Sequence, residues 1–332
     1  MIYITGDTHG AHDIGKLFSN RLSSLTKNDY VIICGDCGVL CSPEDKEAML
    51  NLYSYLPFTV LFADGNHENF DMLESFPEEV WHGGKVHRLT DSVLHLMRGQ
   101  VFDLEGDKFF VFGGALSFDK RRRKEGESWW PQEMPTKSEY DEAKKNLASV
   151  SNKVDYIISH DCPESLLSEI AKYSNKLQHE GIVVSDSNSY LNEFSKIIDF
   201  KHWYFAHYHC DITLGKYDCL FNRLVDVKNP DKANPPITQG KQQSETKADE
   251  YCPNCHHHCH KDNLRCNRGR KHFGQESMGN REATPHDRLL SEIINLKRKY
   301  EKSTRKNQAL NCFSNSERNI LIELLRKIEK AL

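Results

Sequence analysis

The chain has 332 residues, 38% hydrophobic and 28% charged, with a formal net charge of −4 at pH 7. That length exceeds what one hydrophobic core usually organises, and the ordinary apolar share excludes a wholly disordered or fibrous chain. No apolar run approaches the ~20 residues that a membrane span requires. Met1-Ile2-Tyr3-Ile4 enters a strand directly and leaves no room for a signal peptide, so a cytoplasmic location without a membrane partner is expected. In that setting eleven Cys point to reduced thiols or metal ligands rather than a disulfide framework.

Five short apolar runs read as buried β-strands, and each ends in polar residues that can bind metal. Residues 1–5 run into Gly6-Asp7-Thr8-His9-Gly10, and residues 31–34 into Gly35-Asp36-Cys37-Gly38. Residues 58–63 precede Gly65-Asn66-His67-Glu68. A hairpin over residues 101–111 carries no chemistry, and its second strand ends at the turn Gly113-Gly114. The basic run Lys120-Arg121-Arg122-Arg123-Lys124 and the aromatic pair Trp129-Trp130-Pro131 follow. Residues 156–158 lead to Ser159-His160, residues 203–206 to His207-Tyr208-His209, and residues 219–227 read as a last strand.

In open α/β sheets the carboxyl ends of strands line the ligand crevice. A single Asp or His there could be a helix cap or a satisfied turn residue; five such segments in order are hard to explain without a shared site. Oxygen donors (Asp7, Asp36, Asn66) mixed with imidazoles suit Mn²⁺, Fe or Zn²⁺ better than Ca²⁺ or a thiolate-rich zinc cage. Two such ions about 3.5–4 Å apart can lower the pKa of a water and clamp both oxygens of an in-line displacement at phosphorus. Cys37, Cys162 and Cys210 flank these segments, but the oxygen and imidazole set is complete without them, so they read as small wall residues. His12, His82, His87 and His95 have no partner pattern and read as structural or exposed.

The ordered set Asp-x-His, Gly-Asp, Gly-Asn-His-Glu, His and His-x-His resembles the calcineurin-like metallophosphoesterases over roughly residues 1–227. The resemblance implies an α/β fold of two mixed β-sheets flanked by helices, a four-layer sandwich. It implies that Asp7, His9, Asp36 and His209 hold one metal, that Asp36, Asn66, His160 and His207 hold the other, and that Asp36 bridges. His67 would face the scissile phosphate, where it is the natural general acid for the leaving oxygen.

One departure narrows the substrate. In the Ser/Thr protein-phosphatase branch the second motif continues as Gly-Asp-x-x-Asp-Arg-Gly, whereas here Val39 stands where that Asp would be and the Arg is missing. Arg121, Arg122 and Arg123 are candidates for the phosphate contact, since Arg binds phosphate bidentately and loops beyond strand ends collect substrate contacts. The alternative is a solvated charge run whose neighbouring Trp pair packs the insertion onto the body or stacks a base. The blocks Gly65 to Leu73 and Phe112-Gly113-Gly114-Ala115, with the later Trp-Trp-Pro, look like a group of small bacterial phosphoesterases.

Residues 1–227 are thus expected to form the catalytic domain. Residues 228–250 hold three Pro and almost no large apolar residue and read as a linker. Residues 251–280 form a Cys/His-rich, zinc-knuckle-like segment in which Cys252, Cys255, Cys259 and Cys266 are the expected ligands of one structural Zn²⁺. His260 and His256 to His258 are alternates. Cys252-x-x-Cys255-His256 also fits a haem c attachment pattern, which export would have to accompany. Residues 281–332 read as two amphipathic helices, one opened by Thr284-Pro285 and the other by the capping box Ser314-x-x-Glu317. Their seam would bury against itself, the body or a second copy.

Charge is uneven: residues 251–332 hold 17 Lys plus Arg against 9 Asp plus Glu, while residues 1–250 hold 27 against 39. A basic tail on an acidic body suggests nucleic-acid contact or docking on a protein partner. Two readings follow, a phosphoesterase acting on a small molecule, nucleotide or phosphoprotein with a structural tail, and a nuclease or other phosphoesterase delivered by its tail. A non-catalytic scaffold is the third, disfavoured by the presence of His67.

Overall fold

The computed structural model describes residues 1–230 except 11, 41 and 44. The linker beyond residue 230, the Cys252, Cys255, Cys259 and Cys266 zinc segment and the helical pair lie outside the described residues. In chain order the first strands are β1 (Ile2–Thr5), β2 (Tyr30–Ile33), β3 (Thr59–Phe62), β4 (Glu78–Trp81), β5 (Gly84–Thr90) and β6 (Val93–Leu96). They are followed by β7 (Gln100–Leu104), β8 (Asp107–Phe112), β9 (Tyr156–Ser159), β10 (His202–Phe205), β11 (Ile212–Leu214), β12 (Tyr217–Cys219) and β13 (Val225–Asp226). The helices are α1 (Lys46–Tyr55), α2 (Phe70–Leu73), α3 (Lys137–Ser149), α4 (Leu167–Ile170), α5 (Asn175–Glu180) and α6 (Asp186–Ile197).

One sheet has the order β13-β1-β2-β3-β6-β5-β4 and the other β11-β12-β10-β9-β8-β7. In the first, β1, β2, β3 and β6 are parallel and β13, β5 and β4 antiparallel to their neighbours. In the second, β12, β10, β9 and β8 are parallel, with β11 and β7 antiparallel at the edges. Both sheets are therefore mixed, as the resemblance implies.

Strand alternation explains the layering. Ile2, Ile4, Ile32, Leu61 and Leu94 of the first sheet pack with Phe102, Phe109, Val111, Ile158 and Tyr204 of the second, forming the layer between the sheets. The intervening residues Tyr3, Val31, Ile33, Val60 and Phe62 face Met49, Leu52 and Tyr53 of α1. On the far side Phe110, Phe112, Ile157, Trp203 and Phe205 meet Tyr140, Ala143 and Leu147 of α3 and Leu191 and Phe194 of α6. Central strands buried on both faces have to be apolar at every position, which is why β1, β3 and β9 read as continuous runs. Capping boxes at Thr136–Glu139 and Ser185–Asn188 fix where α3 and α6 begin.

The single strand expected over residues 219–227 is two strands in different sheets. Asp211 accepts the backbone N–H groups of Phe221, Asn222 and Arg223, and Thr5 Oγ1 donates to Arg223 O. Those side chains satisfy the backbone where the chain leaves the second sheet at β12 and enters the first as β13, so no ladder is needed there.

His87 and His95 are structural. They lie opposite each other on β5 and β6, with their Nδ1 atoms 3.0 Å apart and His95 Nε2 3.1 Å from Asp64 Oδ1. Burial, and then the neighbouring His95, push His87 down to about 4. The unfolded chain, with its imidazole near ~6.5, therefore binds a proton that the folded one excludes, and stability is lost as pH falls from about 6.5 towards 4. His87→Gln should remove roughly 2 kcal/mol of that acid sensitivity, seen as a smaller gap between urea midpoints at pH 7 and pH 4.5. An unchanged gap would show that the proton is taken up elsewhere.

Candidate metal centre

Each expected ligand stands just beyond a strand end. Asp7 follows β1, Asp36 follows β2, Asn66 and His67 follow β3, His160 follows β9, and His207 and His209 follow β10. The first sheet thus supplies the oxygen donors with His9 and His67, and the second the other three imidazoles. Four of these residues have left-handed backbone: His9 (φ 43°), Asp36 (φ 49°), His207 (φ 66°) and His209 (φ 50°). Such strain, about 1–3 kcal/mol per residue, clusters at functional sites. Two glycines of the motifs are there for close approach. A Cβ on Gly35 would lie 2.2 Å from His160 Nδ1, and one on Gly65 would lie 2.1 Å from Asp36 Oδ1.

The side chains converge. Asp7, His9 and His209 offer ligand atoms that all lie within 4.8 Å of one another, and so do Asp7, Asp36 and His160. His9 Nε2 is 3.5 Å from both Asp7 Oδ2 and Asp36 Oδ2, His209 Nε2 is 3.0 Å from Asp7 Oδ2, and His160 Nε2 is 3.4 Å from Asp36 Oδ2. Asn66 Oδ1 lies 3.2 Å from His160 Nε2, and the His207 ring stands 5.0 Å from that of His160. Asp36 Oδ1 accepts the backbone N–H of His67 at 2.8 Å, which leaves Oδ2 as the oxygen turned towards both halves. The resemblance implies that Asp36 alone is shared; the geometry puts Asp7 within reach of both triads as well.

Two of the rings are held on their far side. His9 Nδ1 is 2.9 Å from Asp13 Oδ2 and His160 Nδ1 is 2.7 Å from Cys34 O, so both rings turn Nε2 inward. Phe118 stacks on His207 and Phe221 on His209, at 5.4 and 4.8 Å between ring centres. Lys176 Nζ donates to His207 O and Lys16 Nζ to Asp7 O.

The electrostatics fit a cation. Burial opposes charge on His9 and His160, yet His9 is lifted to about 10 by Asp13 and Asp36, and His160 to about 9 by Asp36. Asp36, despite its burial, is held far below the usual carboxylate range by His160 and His67. Two buried carboxylates draw positive charge to the centre, and a divalent ion supplies it while leaving the imidazoles neutral. Asp7 Oδ2, Asp36 Oδ2 and His207 Nδ1 are buried without a hydrogen bond of good geometry, the His209 imidazole standing 3.0 Å from Asp7 Oδ2. Such orphaned atoms carry a large penalty unless a ligand meets them. The residues fit metal ions.

His67 belongs to neither triad. Its Nε2 stands 3.9 Å from Asp36 Oδ2, and Arg123 Nη2 lies 2.8 Å from each of its ring nitrogens. Burial, and then the Arg123 guanidinium working against Asp36, push His67 down to about 3. Arg123 is fixed by an ion pair with Asp119 at 2.8 Å. Arg121 and Arg122 stay exposed on the turn Lys120–Arg122. The Trp pair packs: Trp130 joins the core beside α1 and donates to Asp71, and Lys120 lies over Trp129. Val39 is fully buried among apolar side chains. Cys37 and Cys162 are buried walls whose thiols burial pushes up, while Cys210 is half-buried with its Sγ 3.6 Å from that of Cys219.

Several supporting residues carry no motif. Asp13 could have been found as the residue one helical turn beyond His9. Nothing in the sequence marks Asp64, which accepts Arg98 Nε at 2.8 Å, or Ser117, which accepts Asn66 Nδ2 at 3.0 Å.

Among the described residues no helix is long and apolar enough to cross a membrane. No curated protein matches the sequence. Among solved structures, the chain is similar to phosphopantetheinyl hydrolase from Mycobacterium tuberculosis, with 15% identity, coverage of 67% of this chain and 89% of that one, and a TM-score of 0.33. Residues 1–211, which contain every residue of the centre, match the model of the calcineurin-like phosphoesterases, and the chain belongs to that metal-dependent family.

Proposed function

We propose that the chain hydrolyses a phosphate mono- or diester with the help of two divalent metal ions, Mn²⁺, Fe or Zn²⁺. The observation that carries this is the pair of buried orphan oxygens, Asp7 Oδ2 and Asp36 Oδ2, facing two triads beside His67 and Arg123. Asp7, His9, Asp36 and His209 would hold one ion, and Asp36, Asn66, His160 and His207 the other. When bound, such a pair supplies Lewis acidity towards the phosphoryl oxygens and a nucleophilic water at neutral pH.

The chain's own groups do the rest. Arg123 offers its guanidinium to a phosphate oxygen and orients the ester. His67 lies between Arg123 and Asp36, where it can hand a proton to the leaving oxygen. An anionic ester bound against Arg123 offsets that guanidinium's part in the downward push on His67, whose largest cause is burial. Lys16 and Lys176 hold the backbone of Asp7 and His207 in place.

With Mn²⁺ as the one metal condition, bis-aryl phosphate, aryl phosphate, single-stranded DNA and nucleotides can be compared directly. Turnover of at least one of them, abolished by chelator and restored by Mn²⁺, is the expected result. No turnover of any aryl ester would favour the scaffold reading.

Arg123→Lys keeps the charge but loses the planar fork. We expect kcat/KM to fall by roughly 10- to 100-fold, mostly through KM, with Mn²⁺ content unchanged. Wild-type kinetics would remove Arg123 from the phosphate site. The Ser/Thr phosphatase reading gains nothing from Val39, and Arg123 reaches His67 from a different segment. Delivery to nucleic acid or a protein partner rests on the charge of the tail; it predicts a salt-sensitive shift of labelled DNA or RNA by the full chain but not by residues 1–230.

A further inference from the structure

Asn66 is the ligand whose chemistry depends on which way it points. A carboxylate or an inward-turned imidazole presents an acceptor in any case, but an amide presents either an oxygen or an NH₂ group. If the NH₂ faced His160 it would hold donor hydrogens where a cation belongs. Something has to decide the orientation.

Ser117 and Glu133 can decide it. Both are buried, at 3% and 1% exposure. Ser117 Oγ donates to Glu133 Oε2 at 2.6 Å, and Ser117 N donates to Glu133 Oε1 at 3.0 Å. A hydroxyl has one hydrogen, and here it is committed to the carboxylate. Towards Asn66 the same oxygen has only lone pairs left, so it can accept but not donate. It therefore takes Asn66 Nδ2, at 3.0 Å, and turns Oδ1 towards His160 Nε2, 3.2 Å away.

The backbone that carries Glu133 is itself held from the segment that carries Asn66. Arg98 donates to Gln132 O at 2.7 Å and Glu133 O at 3.3 Å, and the same guanidinium is paired with Asp64 at 2.5 Å. Asp64 lies two residues before Asn66, so the bonds from Asn66 through Ser117, Glu133 and Arg98 return to the end of β3. Gly114 makes this approach feasible, since a Cβ there would lie 2.6 Å from Glu133 O.

We infer that Ser117 and Glu133 are positioning residues that fix the Asn66 amide with its oxygen towards the second metal position. This rests on the two-metal reading of the centre. Two variants break the relay with little change of shape. Ser117→Ala removes the acceptor. Glu133→Gln lets its NH₂ face Ser117 Oγ, which frees the hydroxyl hydrogen to donate and lets Asn66 turn its NH₂ towards the metal. In an Asn66→Asp background neither change should cost affinity for the second ion, because a carboxylate has an oxygen on both sides and each change removes the lone pair that faces one of them.

The test is Mn²⁺ binding to the full-length chain without added Zn²⁺, measured by calorimetry and by the electron paramagnetic resonance signal of a coupled Mn²⁺ pair. Wild type should take up two Mn²⁺. Ser117→Ala and Glu133→Gln should each weaken the second by about 10- to 100-fold and lose the pair signal, leaving the first unchanged. Added to Asn66→Asp, Glu133→Gln should cost less than about twofold, the signature of coupling through residue 66. Two Mn²⁺ bound at wild-type affinity in both single variants would overturn the inference while leaving the two-metal reading intact. An equal loss with and without the Asn66→Asp change would also overturn it, by showing a merely structural role. Fewer than two Mn²⁺ in wild type would overturn the two-metal reading and this inference with it.

Discussion

Asp36→Asn should reduce Mn²⁺-dependent turnover by roughly a thousandfold or more and leave fewer than two ions per chain. The substitution keeps the size of a fully buried side chain, so the effect is chemical. Asp36 Oδ1 accepts the backbone N–H of His67, and that contact admits an oxygen but not an NH₂ group. The amide nitrogen of the variant is therefore driven to the Oδ2 position, which faces His9 and His160. Donor hydrogens then point where the shared ligand atom is needed, and one negative charge is gone. Metal analysis beside the rate decides the matter: turnover within tenfold of wild type with two ions retained would remove Asp36 from the bridging role.

His67→Ala should cut the rate by about 10²- to 10⁴-fold while both ions stay bound. Its ring contacts Arg123 and stands 3.9 Å from Asp36, outside both triads. If it protonates the leaving oxygen, the deficit should grow with the leaving group's basicity, being larger for an alkyl ester than for a nitrophenyl ester. An equal deficit for both esters would argue against the proton transfer, and loss of the ions would make His67 a ligand.

The same residues show how far the sequence reading reaches. The strands β1, β2, β3, β9 and β10 were legible because a strand buried on both faces has no room for polar side chains. Their carboxyl ends were legible because the apolar run stops where Asp7, Asp36, Asn66, His160 and His207 begin. The break between β12 and β13 was not legible. Residues 219–227 look apolar enough for one strand, and the satisfaction of their backbone by Asp211 is a contact across the fold.

The basic run shows the division most plainly. Arg121, Arg122 and Arg123 are equal candidates by type and spacing. A short turn points two of them at solvent and, with Asp119, brings Arg123 to His67. Which side of Asn66 carries oxygen likewise depends on Ser117 and Glu133, residues with no motif that lie far along the chain from it.

The sequence by itself determined the residue types of the candidate centre, their order and their places at strand ends, because the pair of cations we propose needs hard oxygens and imidazoles, and a buried strand can offer them only where it ends. Tertiary structure alone decided which atoms meet. It made Asp36 Oδ2 the oxygen common to both halves, brought Asp7 within reach of both triads, and chose Arg123 among three arginines. Those outcomes depend on distances and directions of a few ångströms between segments far apart in the chain, and they are set by the packing of two sheets against each other.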